Sequence, residues 1–265
     1  MTYSEILLDV NDGVATVTLN RPEARNALGG TLRDDFAQVT QNLSERAGKD
    51  ISAVVMAGAG KSFCAGGDLR VLKEMSAKGP EAMEARMHES HATLVKWLDL
   101  PVPTIAAVHG AAAGAGFSLA IACDFVFAAP SARFIMSFGR IGLVPDWGAM
   151  YLLPRLIGLQ RAKDLVFTAR DIDADAACEM GLVYELVAED RLRGHAQEFA
   201  AKFTNASPEA IGMAKQIMGA ALETDRATAL TAEASAQATA NASDYHRAAV
   251  ERFLAKEPAI FNWES

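Results

Sequence analysis

The chain has 265 residues, of which 51% are hydrophobic and 22% charged, with a formal net charge of −8. That length and apolar share allow one large core with an appendage, and the acidic balance argues against a nucleic-acid or anionic-membrane partner while leaving room for a local basic patch. Three cysteines without regular spacing give neither a disulfide framework nor a metal site, which points to a reducing compartment. Residues 1–13 lack the basic start and apolar core of a signal peptide, and no uninterrupted apolar run reaches bilayer length. The cytoplasm is the expected location.

Residues 6–10 and 14–19 alternate around Asn11-Asp12-Gly13, the pattern of a hairpin. A polar loop with two arginines, Arg21 and Arg25, follows, and Thr31 stands where it can cap a helix presenting Leu32, Phe36, Val39 and Leu43 on one face. Residues 51–57 read as a buried strand running into the small-residue loop 58–69 and a helix over 70–75. Residues 81–98 read as a second helix, containing His88 and His91. Pro101 and Pro103 fix the entry to a strand over Thr104–Val108, which stops at a turn built only of Gly and Ala and continues as an apolar helix.

Strands are expected over 123–128, 132–136 and 183–187, and helices over Ala149–Ile157, 161–168 and 173–180. From about residue 190 strand signals cease, and 191–204, 208–222, 226–240 and 244–255 all read as Ala-rich helices. The expectation is an α/β core over 1–190 and a helical region over 191–265.

Two loops share one context, strand then small residues then helix. One lies around Gly66–Asp68, the other around Gly114–Gly116. Small residues there serve either tight helix–strand packing or open access to unpaired backbone N–H groups, and two converging N–H donors can stabilise a carbonyl oxygen that gains charge. Neither loop is a P-loop, and Gly114-Ala115-Gly116-Phe117-Ser118-Leu119 lacks the third glycine of a dinucleotide fingerprint. No metal or redox cofactor is implied. Cys64, Cys123 and Cys178 have apolar or small neighbours and read as packing residues.

Four stretches carry a resemblance: Asn20-Arg-Pro-Glu-Ala-Arg-Asn-Ala-Leu28, Phe63-Cys-Ala-Gly-Gly-Asp-Leu69, Gly110-Ala-Ala-Ala-Gly-Ala-Gly116 and Gly142-Leu-Val-Pro-Asp-Trp-Gly148. In that order, with Gly181-Leu-Val and Arg252-Phe-Leu-Ala-Lys256, the chain resembles the enoyl-CoA hydratase/isomerase (crotonase) family nearly end to end. The resemblance implies a spiral of ββα turns, a C-terminal helical region that forms a trimer or hexamer, and an acyl-CoA thioester as substrate. It further implies that Gly67 and Ala115 supply the oxyanion-hole N–H groups, Ala115 standing where glycine is usual. The Ala65 carbonyl then meets the adenine, and Arg25 and Arg70 approach CoA phosphates. Ala27, Asp68 and Leu69 belong to the same binding set, while Phe253 and Lys256 cover the nucleotide end, often from a neighbouring subunit.

The departures bear on the reaction. Hydratases of the family use two glutamates, and Ser118 and Phe138 occupy those positions here. Asp146 is the acid that remains. It either caps the helix beginning near Trp147 or acts as an acid/base carboxylate whose pKa is raised by Phe138, Ile141 and Trp147. Relatives with Pro-Asp here are typically isomerases, among them those acting on ring-1,2-epoxyphenylacetyl-CoA, and one carboxylate suffices for a 1,3-proton shift. The expectation is an acyl-CoA isomerase with Asp146 as single proton shuttle. The alternatives are a 2-enoyl-CoA hydratase, a chlorobenzoyl-CoA dehalogenase-like hydrolase pairing Asp146 with His91, and a non-catalytic CoA-thioester-binding subunit.

Overall fold

The structure is a computed structural model and describes residues 3–264. It begins with a hairpin of β1 (Ile6–Asn11) and β2 (Val14–Leu19), followed by α1 (Leu32–Arg46) and β3 (Ala53–Gly58). Next come α2 (Leu69–Lys78), α3 (Pro80–Leu98), β4 (Thr104–Val108), the short β5 (Ala111–Ala113) and α4 (Ala115–Ile121). β6 (Phe125–Ala128), β7 (Arg133–Ile135), a 3-10 turn at Ser137–Ile141, α5 (Ala149–Ile157) and α6 (Leu159–Thr168) form the next stretch. β8 (Asp171–Asp173), α7 (Ala174–Glu179), β9 (Glu185–Leu186) and four further helices, α8 (Leu192–Ala201), α9 (Pro208–Ala220), α10 (Arg226–Asn241) and α11 (Asp244–Leu254), complete the chain.

The main sheet has the order β1-β2-β3-β4-β6-β9, antiparallel at the β1–β2 hairpin and parallel at every other pairing. Its interior strand β3 is buried along its whole length and therefore apolar without alternation. Val54 and Met56 face a core shared with Phe36, Val39 and Leu43 of α1 and Trp97 of α3. Ala53, Val55 and Ala57 face the other side, where Leu192, Ala196 and Phe199 of α8 cover the sheet. The first helix beyond residue 190 thus belongs to the core. α8 supplies the second layer that a doubly buried strand requires. By contrast α10 and α11 bury no residue in the single chain.

A second sheet, β5-β7-β8, departs from the expectation. Ala111–Ala113, read as part of a turn, is a strand, and β8 had no strand signal. Three-residue segments such as Ala-Ala-Ala and Asp-Ile-Asp have no period to display, and their strand character comes from pairing alone, Ala112 with Phe134 and Phe134 with Ile172. The start of α1 also differs. Thr31 makes no side-chain cap; instead the Glu5 carboxylate accepts from the Thr31 and Leu32 amides, both at 2.8 Å. A residue 26 positions upstream does the capping, which no local motif reveals.

Candidate active site

Two loops are brought together by a run of backbone hydrogen bonds. The Phe63 amide donates to the His109 carbonyl at 2.8 Å, Cys64 to Ala111 at 3.0 Å, and Ala113 back to Cys64 at 2.9 Å. The approach demands bare backbone at two points. A Cβ on Gly66, whose φ is +89°, would overlap the Ala113 carbonyl oxygen and stand 3.2 Å from the Ala115 nitrogen, and one on Gly116 would overlap the Cys64 carbonyl oxygen. The zipper brings Gly67 and Ala115 to the lining of one cavity, and neither amide donates to a backbone acceptor among the described residues. Ala115 opens α4 with ordinary helical backbone while the φ of +50° falls on Gly114, so a methyl group at 115 is tolerated.

Asn26 fastens a third segment, residues 20–28, to this assembly. It is fully buried with φ +56°, and its side-chain amide donates to the carbonyls of Ala59, Ser62 and Phe63 at 2.9–3.1 Å while its oxygen accepts from the Arg21 amide. The polar loop 20–28 is thereby fastened to the loop that carries Gly67. Arg25, beside it, is also left-handed and exposed.

Across the cavity stands Asp146. Its backbone turn is strained, with Trp147 at φ +50° and Gly148 at +76°, and a non-glycine residue there costs about 1–3 kcal/mol. Packing compensates, since Trp147 is only 3% exposed and its ring meets Phe36 edge-on at 5.9 Å. The turn aims the carboxyl inward. Asp146 does not cap α5, whose N-cap is Gly148 with no side-chain bond. Its Oδ1 is buried without a hydrogen-bond partner among the described residues. Burial raises the pKa of the group to about 6, with a backbone hydrogen bond and the Arg86 charge pulling weakly the other way.

The cavity, about 280 Å³, collects Ala65, Gly67, Asp68, Leu69, Ala115, Phe138, Ile141, Asp146 and Trp147 from the expected set. Asp68 has a structural task that sequence alone did not reveal. Its carboxylate accepts from the Arg70 amide, caps α2 and pairs with Arg21 at 2.9 Å, which holds its pKa below the usual range. Ala27 is buried away from the cavity, its carbonyl accepting from Arg21, and Arg25 and Arg70 lie outside the lining as exposed cations. Phe253 sits on α11, 82% exposed, beside a separate hollow, and Lys256 follows that helix. Ser118 is buried and donates to the Gly114 carbonyl at 3.3 Å, outside the cavity lining.

His91 is exposed and lines a neighbouring hollow that also touches Asp146, together with Met87, Val144 and Tyr151. No hydrogen bond or ion pair joins the two among the described residues. Sequence reasoning missed three arginines on the main cavity, Arg33, Arg86 and Arg140, and Ser90 beside them. The available signal was Arg86 and Ser90 at i, i+4 on α3, a helix whose polar face resembles a solvated one until the fold covers it. The Cys64 thiol is pushed up to about 12 by burial and donates to the Asn26 carbonyl, as a packing residue does.

Parallel strands feeding two glycine-lined turns, with Gly67, Ala115 and the buried carboxyl of Asp146 on one cavity, define an α/β protein. The profile of the enoyl-CoA hydratase/isomerase family matches residues 9–265. The chain is 36% identical over 262 residues to the "Probable enoyl-CoA hydratase" of Rhodobacter capsulatus, covering 98% of this chain and 99% of that one. It is likewise 36% identical over 258 residues to the 1,2-epoxyphenylacetyl-CoA isomerase of Escherichia coli K12, covering 97% of both. The crystal structure of an enoyl-CoA hydratase/isomerase from Cupriavidus metallidurans CH34 superposes with a TM-score of 0.93 at 37% identity, over 99% of this chain and 97% of that one. The chain belongs to the enoyl-CoA hydratase/isomerase family and has its fold. No helix among the described residues is long and apolar enough to cross a membrane.

Proposed function

We propose that the protein is an acyl-CoA isomerase that moves a proton along a thioester, with Asp146 as the single acid/base and the Gly67 and Ala115 amides as the oxyanion hole. One observation carries this. Of the two carboxyls on the cavity, Asp68 is bound to Arg21, whereas Asp146 has a buried, unpartnered oxygen and a pKa raised to about 6. An acid of that strength both takes a proton and returns it near neutral pH. With the thioester oxygen between the two amides, the Asp146 carboxylate removes a proton from Cα of a 3-enoyl thioester. The electron pair moves onto oxygen, and the amides stabilise the enolate. Asp146, now protonated, delivers the proton to the γ-carbon of the resulting dienolate, and the double bond moves from C3 to C2 with no other reagent. Ala65, Leu69, Arg25 and Arg70 are assigned to the CoA end, and Phe138, Ile141 and Trp147 to the acyl group.

The relatives named as hydratases support a second possibility, addition of water to a 2-enoyl thioester. It requires a second group to handle the water's proton, and Ser118 and Phe138, which stand at the positions expected for it, cannot ionise for the task. The test is deuterium uptake from D₂O into saturated, 2-enoyl, 3-enoyl and arylacetyl thioesters, comparing the wild type with Asp146→Asn. Exchange or double-bond migration that disappears in the variant is expected. Equal product from both proteins rejects the shuttle, and binding without exchange in either favours a CoA-thioester-binding subunit. Assembly as a trimer or hexamer belongs to the same proposal. It is supported by α10, which buries nothing in the single chain, and by exposed Met218, Leu222 and Leu230; a stable monomer in sedimentation overturns it.

A further inference from the structure

Three arginines line the cavity, and their partners differ. Arg33 is 19% exposed and ion-paired to Asp34 and Glu89, each at 3.1 Å. Arg140 donates twice to the Ala169 carbonyl, at 3.0 and 2.7 Å. Arg86, half-buried on α3, makes neither a side-chain hydrogen bond nor an ion pair among the described residues. Burial and the neighbouring Arg33 charge both act against its cationic form. Asp34, Glu89 and Asp146 favour the cation only from a distance, none of them in contact with it. An incoming anion that forms a charge-assisted, bidentate pair therefore relieves the penalty of burial.

The site itself does not supply that anion. Asp68 is held by Arg21, and Asp146 is not ion-paired to Arg86; the arginine is the last and smallest of the influences on that carboxyl. Arg86 nonetheless senses the charge of Asp146, and it lines the cavity with Met87 and with Ser90 one turn further along α3. These neighbours put it at the acyl end. The exposed Arg25 and Arg70, assigned above to the CoA phosphates, are outside the lining.

We propose that Arg86 receives an anionic group on the acyl chain beyond the reacting carbons, so that the preferred substrates are CoA thioesters of dicarboxylic acids. This rests on the placement of the thioester between Gly67 and Ala115 with Asp146 beside it. The carboxylate sits against the guanidinium, and the apolar Phe138 and Trp147 line the stretch between. Arg86 is in this account a specificity residue and takes no part in the proton transfer.

The experiment is calorimetric binding of CoA itself, hexanoyl-CoA and its ω-carboxylate counterpart adipyl-CoA, with shorter and longer pairs, to the wild type, Arg86→Met and Arg86→Lys. In at least one chain-length pair the wild type is expected to bind the ω-carboxylate at least about tenfold tighter than the methyl-ended thioester. Arg86→Met removes that ratio and Arg86→Lys restores part of it. Equal wild-type affinities across the series overturn the proposal. So does an Arg86→Met loss of equal factor for CoA and both thioesters, which marks a phosphate contact or a folding defect. These saturated ligands have no double bond to shift, so the affinity ratio is read independently of the isomerase assignment. Deuterium exchange on the same thioesters tests that assignment separately.

Discussion

Gly116 has no side chain because the Cys64 carbonyl oxygen occupies the place one would take; a Cβ there would also come within 2.8 Å of the Cys64 carbonyl carbon and Cβ. Helix propensity alone favours alanine at this position, by about 1 kcal/mol. The contact reverses the sign. Gly116→Ala is expected to push the 63–67 loop away from α4, destabilise the protein by about 1–3 kcal/mol and lower turnover roughly a hundredfold. Denaturant unfolding and steady-state kinetics check both, and a variant as active as the wild type shows that the two loops need not touch.

Asp146→Asn is expected to raise stability while ending proton transfer. The folded-state pKa lies at about 6 against an ordinary 3.8, so the folded protein holds the proton more tightly than the unfolded chain. The stability present below pH 3.8 is therefore lost as pH rises through about 6. Above that range asparagine is expected to be more stable than aspartate by about 1–3 kcal/mol, and the gap closes in acid. Unfolding curves at several pH values measure it.

The same ionisation gives the rate its pH dependence. A base accepts a proton only when ionised, so deuterium uptake in the free enzyme rises with pH through about 6 and then levels. A limb in the ordinary carboxylate range places the working group elsewhere.

Asn26 is expected to be the most costly polar residue to remove near the site. Asn26→Ala leaves the buried carbonyls of Ser62 and Phe63 without the donor they share and releases the loop 20–28. A loss of about 2–4 kcal/mol is expected, with weakened thioester binding following from the freed Gly67 loop. Thermal unfolding with and without a CoA thioester separates the two effects.

Much of this was legible along the chain. Leu32, Phe36, Val39 and Leu43 fall on one face by period alone and are all buried, and β2, β4 and α5 lie where their apolar runs begin and end. The small-residue loops at 66–68 and 114–116 were visible because glycine and alanine mark close backbone approach before any fold is known. Asp146 stood out as the one acid beside the apolar run before Trp147. Composition, local period and turn chemistry are properties of neighbours in sequence, and those the sequence determines by itself.

Tertiary structure decided the rest. It gave α8 to the core, made strands of Ala111–Ala113 and Asp171–Asp173, handed the cap of α1 to Glu5, and tied Asp68, on the cavity lining, to Arg21. It also left Arg86 half-buried near Asp146 and without an ion-pair partner among the described residues. Each depends on which distant atoms meet, through a hydrogen bond, an ion pair or exclusion of water. Such contacts leave no period in the residues that make them, so only the folded chain shows which charges are paired.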